Sequence, residues 1–175
     1  VSMYNWADGI SYKNEGVWMN LAGKYEVNNV DPCGGHAASG DYHHHGLSAC
    51  LQEQLGDDGG GHSPVYGVVA DGYLLYGPYH ADGVMAESCW ELRDYEDPDS
   101  PQGCGGGGDR SCVMVDPYDP AQGTTAAESS GPVTSESVTS LSGNVFVAES
   151  GFYLEDYFYS PNCSVQGDQY LDEHN

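Results

Sequence analysis

Hydrophobic positions in this chain come in short runs, and glycine or a polar cluster ends almost every one. In residues 1–30, Tyr4, Trp6, Ile10, Tyr12, Val17, Trp18, Leu21, Tyr25 and Val27 are broken up by Gly9, Gly16 and Gly23. Short aromatic and β-branched runs bounded by turn residues are strand-like. Val65 to Ala70 and Tyr73 to Tyr76 read as two strands joined at Asp71-Gly72, a dipeptide that favours a two-residue hairpin turn. That turn accounts for Asp71 without a catalytic duty. Tyr42 to His45 reads as another strand, and Val145 to Ala148 resumes one after a long polar gap. The best helical segment is Ala49 to Gly56, where Leu51 and Leu55 stand at i and i+4 and Gly56 suits a C-terminal stop.

The pattern predicts a mainly β chain: a single disulfide-clipped antiparallel β domain, sandwich-like, with one short helix and long acidic or Gly-rich loops. A length of 175 residues fits one domain. Residues 1–30 form an aromatic N-terminal arm and the first strands. Residues 31–175 form the β domain, with a Ser/Thr-rich insertion at about 121–143 that reads as a polar loop or an O-glycosylated strip. The arm is expected to join the core, with docking on a neighbouring subunit by strand addition as the alternative.

Charge narrows the partners. Asp and Glu total 27 against 4 Lys and Arg, a formal net charge of -23. Binding nucleic acid depends on neutralising phosphates with basic side chains, so nucleic acid is excluded as a partner, and an anionic membrane surface with it. No apolar run approaches the length of a membrane span, so no membrane insertion is expected. Divalent cations fit the charge far better. The aspartates of residues 94–120 lack the spacing of an EF-hand loop.

Six cysteines suit three disulfides in an oxidising compartment. Cys33 and Cys50 flank a hairpin and are paired. Cys104 and Cys112 bracket a run of glycines and are paired as a loop clip, which leaves Cys89 with Cys163. The chain opens at Val1 without an initiator Met, and the expectation is a mature secreted chain whose leader has been removed. Asn162-Cys-Ser is a sequon, so Asn162 is expected to carry a glycan.

The densest chemistry lies between Asp31 and Cys50, which hold four of the seven histidines. Ser39-Gly40-Asp41 is a turn signal. In a strand over Tyr42 to His45, His43 and His45 share one face, and Tyr42 and His44 the other. Antiparallel pairing across the turn brings His36 to the His43/His45 face. Three imidazoles there suit a divalent metal, Zn, Cu or Ca, with His62 as a fourth ligand or an acid/base; a hydrogen-bonded histidine ladder without metal is the alternative. Glu53, Asp71 and Glu87 are candidate bases for a metal-bound water, but spacing singles out none, and no catalytic set is assigned.

The run Asp31-Pro-Cys-Gly-Gly-His36, Gly40-Asp-Tyr-His-His-His-Gly46, Cys50, His62-Ser-Pro64, Gly67, Ala70-Asp-Gly-Tyr73 and Tyr76-Gly-Pro-Tyr79 resembles the YHYH domain family. The family's Tyr-His-Tyr-His run aligns with Tyr42-His43-His44-His45, with His44 where Tyr is usual. Gly151 to Tyr157 and Gln169 to Asn175 resemble its later block, which in relatives leads into a further aromatic segment. The resemblance implies a mainly β, secreted or surface-associated domain and implies no reaction.

Three functions compete. The first is an extracellular structural or assembly protein, glycosylated, building filaments or surface layers from copies of itself by docking of the arm. The second is a metal-binding module or metal-dependent hydrolase built on His36, His43 and His45. The third is a carbohydrate-binding domain, suggested by Glu87, Trp90 and Glu91.

Overall fold

The computed structural model describes residues 1–96, 109–116, 122, 124–127 and 129–160. Among these the chain is mainly β, as the pattern requires, with the strands gathered into small sheets. Strand β1 (Ser2–Met3) leads to β2 (Ala7–Ser11), which pairs antiparallel with β3 (Met19–Leu21). Helix α1 (Ala22–Tyr25) follows directly. Next come β4 (Gly35–Ala38) and β5 (Asp41–His44), an antiparallel hairpin. β1 adds to the free side of β5 in parallel, giving a three-stranded sheet.

Helix α2 (Ala49–Leu55) is the expected one. Ser48 caps its N-terminus by accepting from the Leu51 amide at 3.3 Å, and Gly56 ends it at φ 67°. α1 was not anticipated, because it is only four residues long and its Gly23 reads as a breaker.

β6 (Val65–Val68) and β7 (Leu74–Tyr76) form the second expected hairpin, but the turn is longer than two residues. The Val69 amide still donates to the Tyr73 carbonyl at 2.8 Å, so three residues, Ala70 to Gly72, make the loop. Gly72 takes φ 95°, and Asp71 Oδ1 accepts from the Tyr73 amide. Three-residue loops closing on a left-handed glycine are a common hairpin solution. Asp71 is a turn residue.

The remaining strands pair as β8 (Tyr79–Ala81) with β9 (Val84–Met85), β10 (Trp90–Leu92) with the later β15, and β11 (Cys112–Met114) with β12 (Thr124–Ala126). The polar stretch ends in another hairpin, β13 (Ser137–Thr139) with β14 (Val145–Val147). β15 is Tyr157–Tyr159.

The core is aromatic. Trp18, Tyr25, Phe152 and Tyr153 are buried together with Ala148, and Phe146 and Val138 pack against them. The N-terminal third thus contributes Trp18 and Tyr25 to the core, while Tyr4 and Trp6 stay exposed. A second anchor is the wholly buried pair Arg110 and Asp156. Arg110 Nε donates to Asp156 Oδ1 at 2.7 Å, and its Nη atoms donate to Asp156 Oδ2 and to the carbonyls of Pro132, Ala148 and Glu149. One guanidinium therefore ties together four separated segments.

Cys33 and Cys50 are bonded as expected, closing the histidine hairpin onto the start of α2. Cys89 and Cys112 are also disulfide-bonded. The pairings expected for them, with Cys163 and Cys104, lie outside the described residues, as does Asn162.

Candidate metal centre

The hairpin turn sets the geometry. Ser39 (φ 53°) and Gly40 (φ 90°) are the two central residues between Ala38 and Asp41, and both lie in the left-handed region. Two such residues make the tight turn whose twist matches an antiparallel pair. The register then places His36 directly opposite His43. His45 follows one residue after β5, on the same face.

The opposite face holds the hairpin together. Tyr42 Oη donates to Asp31 Oδ2 at 2.6 Å, and Asp31 Oδ1 accepts from the amides of Cys33 and Gly35. The Tyr42 hydroxyl and these amides hold the Asp31 carboxyl below its ordinary value. A side chain at Gly35 would run into the Tyr42 hydroxyl and the His44 ring. His44 meets Tyr42 edge-on at 5.4 Å, away from the three-histidine face.

On that face the ligand atoms of His36, His43 and His45 all lie within 4.8 Å of one another. His43 is almost wholly buried, and His36 and His45 are partly covered. His43 Nδ1–H donates to the Asp41 carbonyl at 3.1 Å, and His45 Nδ1–H donates to the Asn5 carbonyl at 2.8 Å. A carbonyl can only accept, so each ring carries its proton on Nδ1 and presents an Nε2 lone pair. Those two Nε2 atoms face each other at 3.0 Å.

Glu26 completes the set. Its Oε2 lies 3.2 Å from His36 Nε2 and 3.3 Å from His45 Nε2. Glu26 Oε2 and His36 Nε2 are both buried, and neither forms a hydrogen bond. Glu26 is the C-cap of α1, whose preceding residue Tyr25 is anchored in the aromatic core. The core thus fixes where this carboxylate stands. Asp8 is close by on β2 and lines the same open cleft as Glu26, His43 and His45. Burial raises its carboxyl to about 6; the Ile10 amide opposes this and the Glu26 charge adds to it.

His62 is not part of this cluster. Its Nδ1–H donates to the Ser63 carbonyl at 2.8 Å, and its ring meets Tyr76 at 4.9 Å and His80 at 6.4 Å. It lies in the segment leading into β6, outside the β4–β5 hairpin that carries the other three. Glu53, Asp71 and Glu87 do not line the cleft beside the histidines. Glu26 and Asp8 were not singled out from sequence: they are two of 27 acidic residues, and no spacing rule links them to the hairpin.

The description "YHYH protein" matches residues 2–175 of the chain. The chain belongs to the YHYH family. Curated proteins and solved structures returned no match to this YHYH protein. The His43/His45 pair of its name-giving strand faces the cluster, and the variant position, His44, faces away, so the departure from the usual Tyr leaves the histidine face intact.

Proposed function

We propose that this YHYH protein is a metal-binding module holding one divalent transition-metal ion with His36, His43, His45 and Glu26. The observation that carries the reading is the facing pair of Nε2 lone pairs on His43 and His45. A hydrogen bond between them requires one ring to be doubly protonated. A cation needs no extra proton and also satisfies Glu26 Oε2 and His36 Nε2, which stand 3.2 Å apart without forming a hydrogen bond. Three imidazoles and one carboxylate suit Zn²⁺ or Cu²⁺; Ca²⁺ prefers an all-oxygen shell and is set aside on that ground.

The test is chelator-competition titration of EDTA-stripped full chain with Zn²⁺ and Cu²⁺. The reading expects about one tight ion per chain, lost when His36 and His43 are both changed to Ala. Equal binding by wild type and variant would place the metal on the acidic surface instead and end the reading.

A second reading, assembly from copies of this chain, is favoured by the arm. Val1 is 93% exposed and Tyr4 and Trp6 are 46% and 42% exposed, while β1 is held by two paired residues. An arm from a second copy would take that edge of β5 by displacing β1 in an exchange of arms. The disulfides fit an extracellular setting, and glycans on Asn162 belong to the same proposal. Electron micrographs of full chain and of chain lacking residues 1–5 test it. Filaments or sheets from the full chain alone support assembly, and isolated particles from both rule it out.

A further inference from the structure

The N-terminal arm lies along the histidine strand with four consecutive residues, Ser2 to Asn5. Met3 pairs with His44 and Ser2 with His43 in the parallel ladder. The Tyr4 amide donates to the His44 carbonyl at 2.8 Å. The Tyr4 ring stacks on His43 at 4.3 Å with an interplanar angle of 24°, and its edge meets His45 at 6.0 Å. The Asn5 carbonyl takes the His45 Nδ1 proton. Further along, the Trp6 carbonyl accepts from the Ala22 amide and anchors the end of the arm.

We infer that Tyr4 and Asn5 are positioning residues of the metal centre, so that docking of the arm and loading of the ion are one linked equilibrium. The inference rests on the metal-binding reading above. The Asn5 carbonyl fixes which nitrogen of His45 is free, and the Tyr4 ring limits how far His43 can turn. Groups that orient a ligand histidine in this way typically change metal affinity by about 10–100-fold when removed. Linkage is reciprocal: an ion that immobilises His43 and His45 must hold the arm down by the same factor. A chain with its arm lifted has the three histidines but lacks the acceptor that sets His45, and it binds the ion more weakly.

The experiment uses the full chain, a version lacking residues 1–5, and the variants Tyr4→Ala and Tyr4→Phe. Zn²⁺ affinity is read by chelator competition, and the ligand field by the visible absorption of the Co²⁺ form. Loss of residues 1–5 is expected to weaken Zn²⁺ about 10–100-fold and to change the Co²⁺ bands. Tyr4→Ala weakens binding, whereas Tyr4→Phe keeps the stacked ring and the wild-type affinity. In the intact protein, Zn²⁺ slows hydrogen exchange at the Tyr4 amide, a readout that needs no variant to fold. Wild-type affinity after truncation, or Tyr4 exchange indifferent to Zn²⁺, overturns the linkage while leaving the metal reading standing. A wild-type chain that binds no Zn²⁺ overturns both.

Discussion

His43 Nε2 stands 3.0 Å from His45 Nε2, with each ring's other nitrogen committed to a backbone carbonyl. Two neutral imidazoles so held repel, and the Glu26 oxygen 3.3 Å from His45 adds to the crowding of lone pairs. The stripped protein should therefore gain stability from the ion. At a free Zn²⁺ concentration 100 times the dissociation constant the gain is about 2.7 kcal/mol. Urea unfolding with and without Zn²⁺ measures it. Glu26→Gln should lower the gain while leaving the stripped protein folded, since Tyr25 and the core are untouched.

Asp8 supplies a pH signature. Its carboxyl sits at about 6 in the fold against an ordinary 3.8, mainly because burial disfavours the charge. The folded state thus holds this proton more tightly than the unfolded chain does. Its contribution to stability is complete below about 3.8 and is lost as pH rises through about 6. In EDTA, wild type should lose stability relative to Asp8→Asn between those values. Urea midpoints of the two proteins, measured across that window, should diverge; a constant difference contradicts the assignment.

Asp156 accepts from Arg110, from Tyr95 Oη at 2.7 Å and from the Gly151 and Tyr153 amides. Asp156→Asn keeps the shape but turns an amide group toward donors and leaves Arg110 buried without its counter-charge. The expected cost is about 3–5 kcal/mol. Denaturant unfolding checks it, and a change below about 1 kcal/mol would show that carbonyl contacts alone satisfy Arg110.

Cys33 and Cys50 are 17 residues apart in sequence. Replacing both with Ser should cost about 3 kcal/mol by releasing the unfolded chain from that loop. It should also weaken Zn²⁺ binding, because the hairpin carrying His36, His43 and His45 loses its tie to α2. Thermal melts and titration of the double variant report the two effects separately.

The hairpin was legible because its instructions are local. Ser39-Gly40 specifies the turn, alternation sorts His43 from His44, and the flanking cysteines mark the ends. Glu26 was not legible. It caps the end of a four-residue helix whose position comes from Tyr25 packing against Phe146 and Phe152, more than a hundred residues away in sequence. Asn5 contributes a backbone carbonyl, which leaves no trace in residue type. His62 failed in the opposite way: it is near in sequence, but it sits on a turn leading to β6 and faces Tyr76.

X-ray absorption at the metal edge of stoichiometrically Zn²⁺-loaded full chain tests the central claim most directly. The account predicts three imidazole nitrogens at about 2.0–2.1 Å and a carboxylate oxygen at about 2.0–2.2 Å. An all-oxygen shell without imidazole scattering would mean that the acidic surface, not the histidine hairpin, holds the ion, and would contradict it.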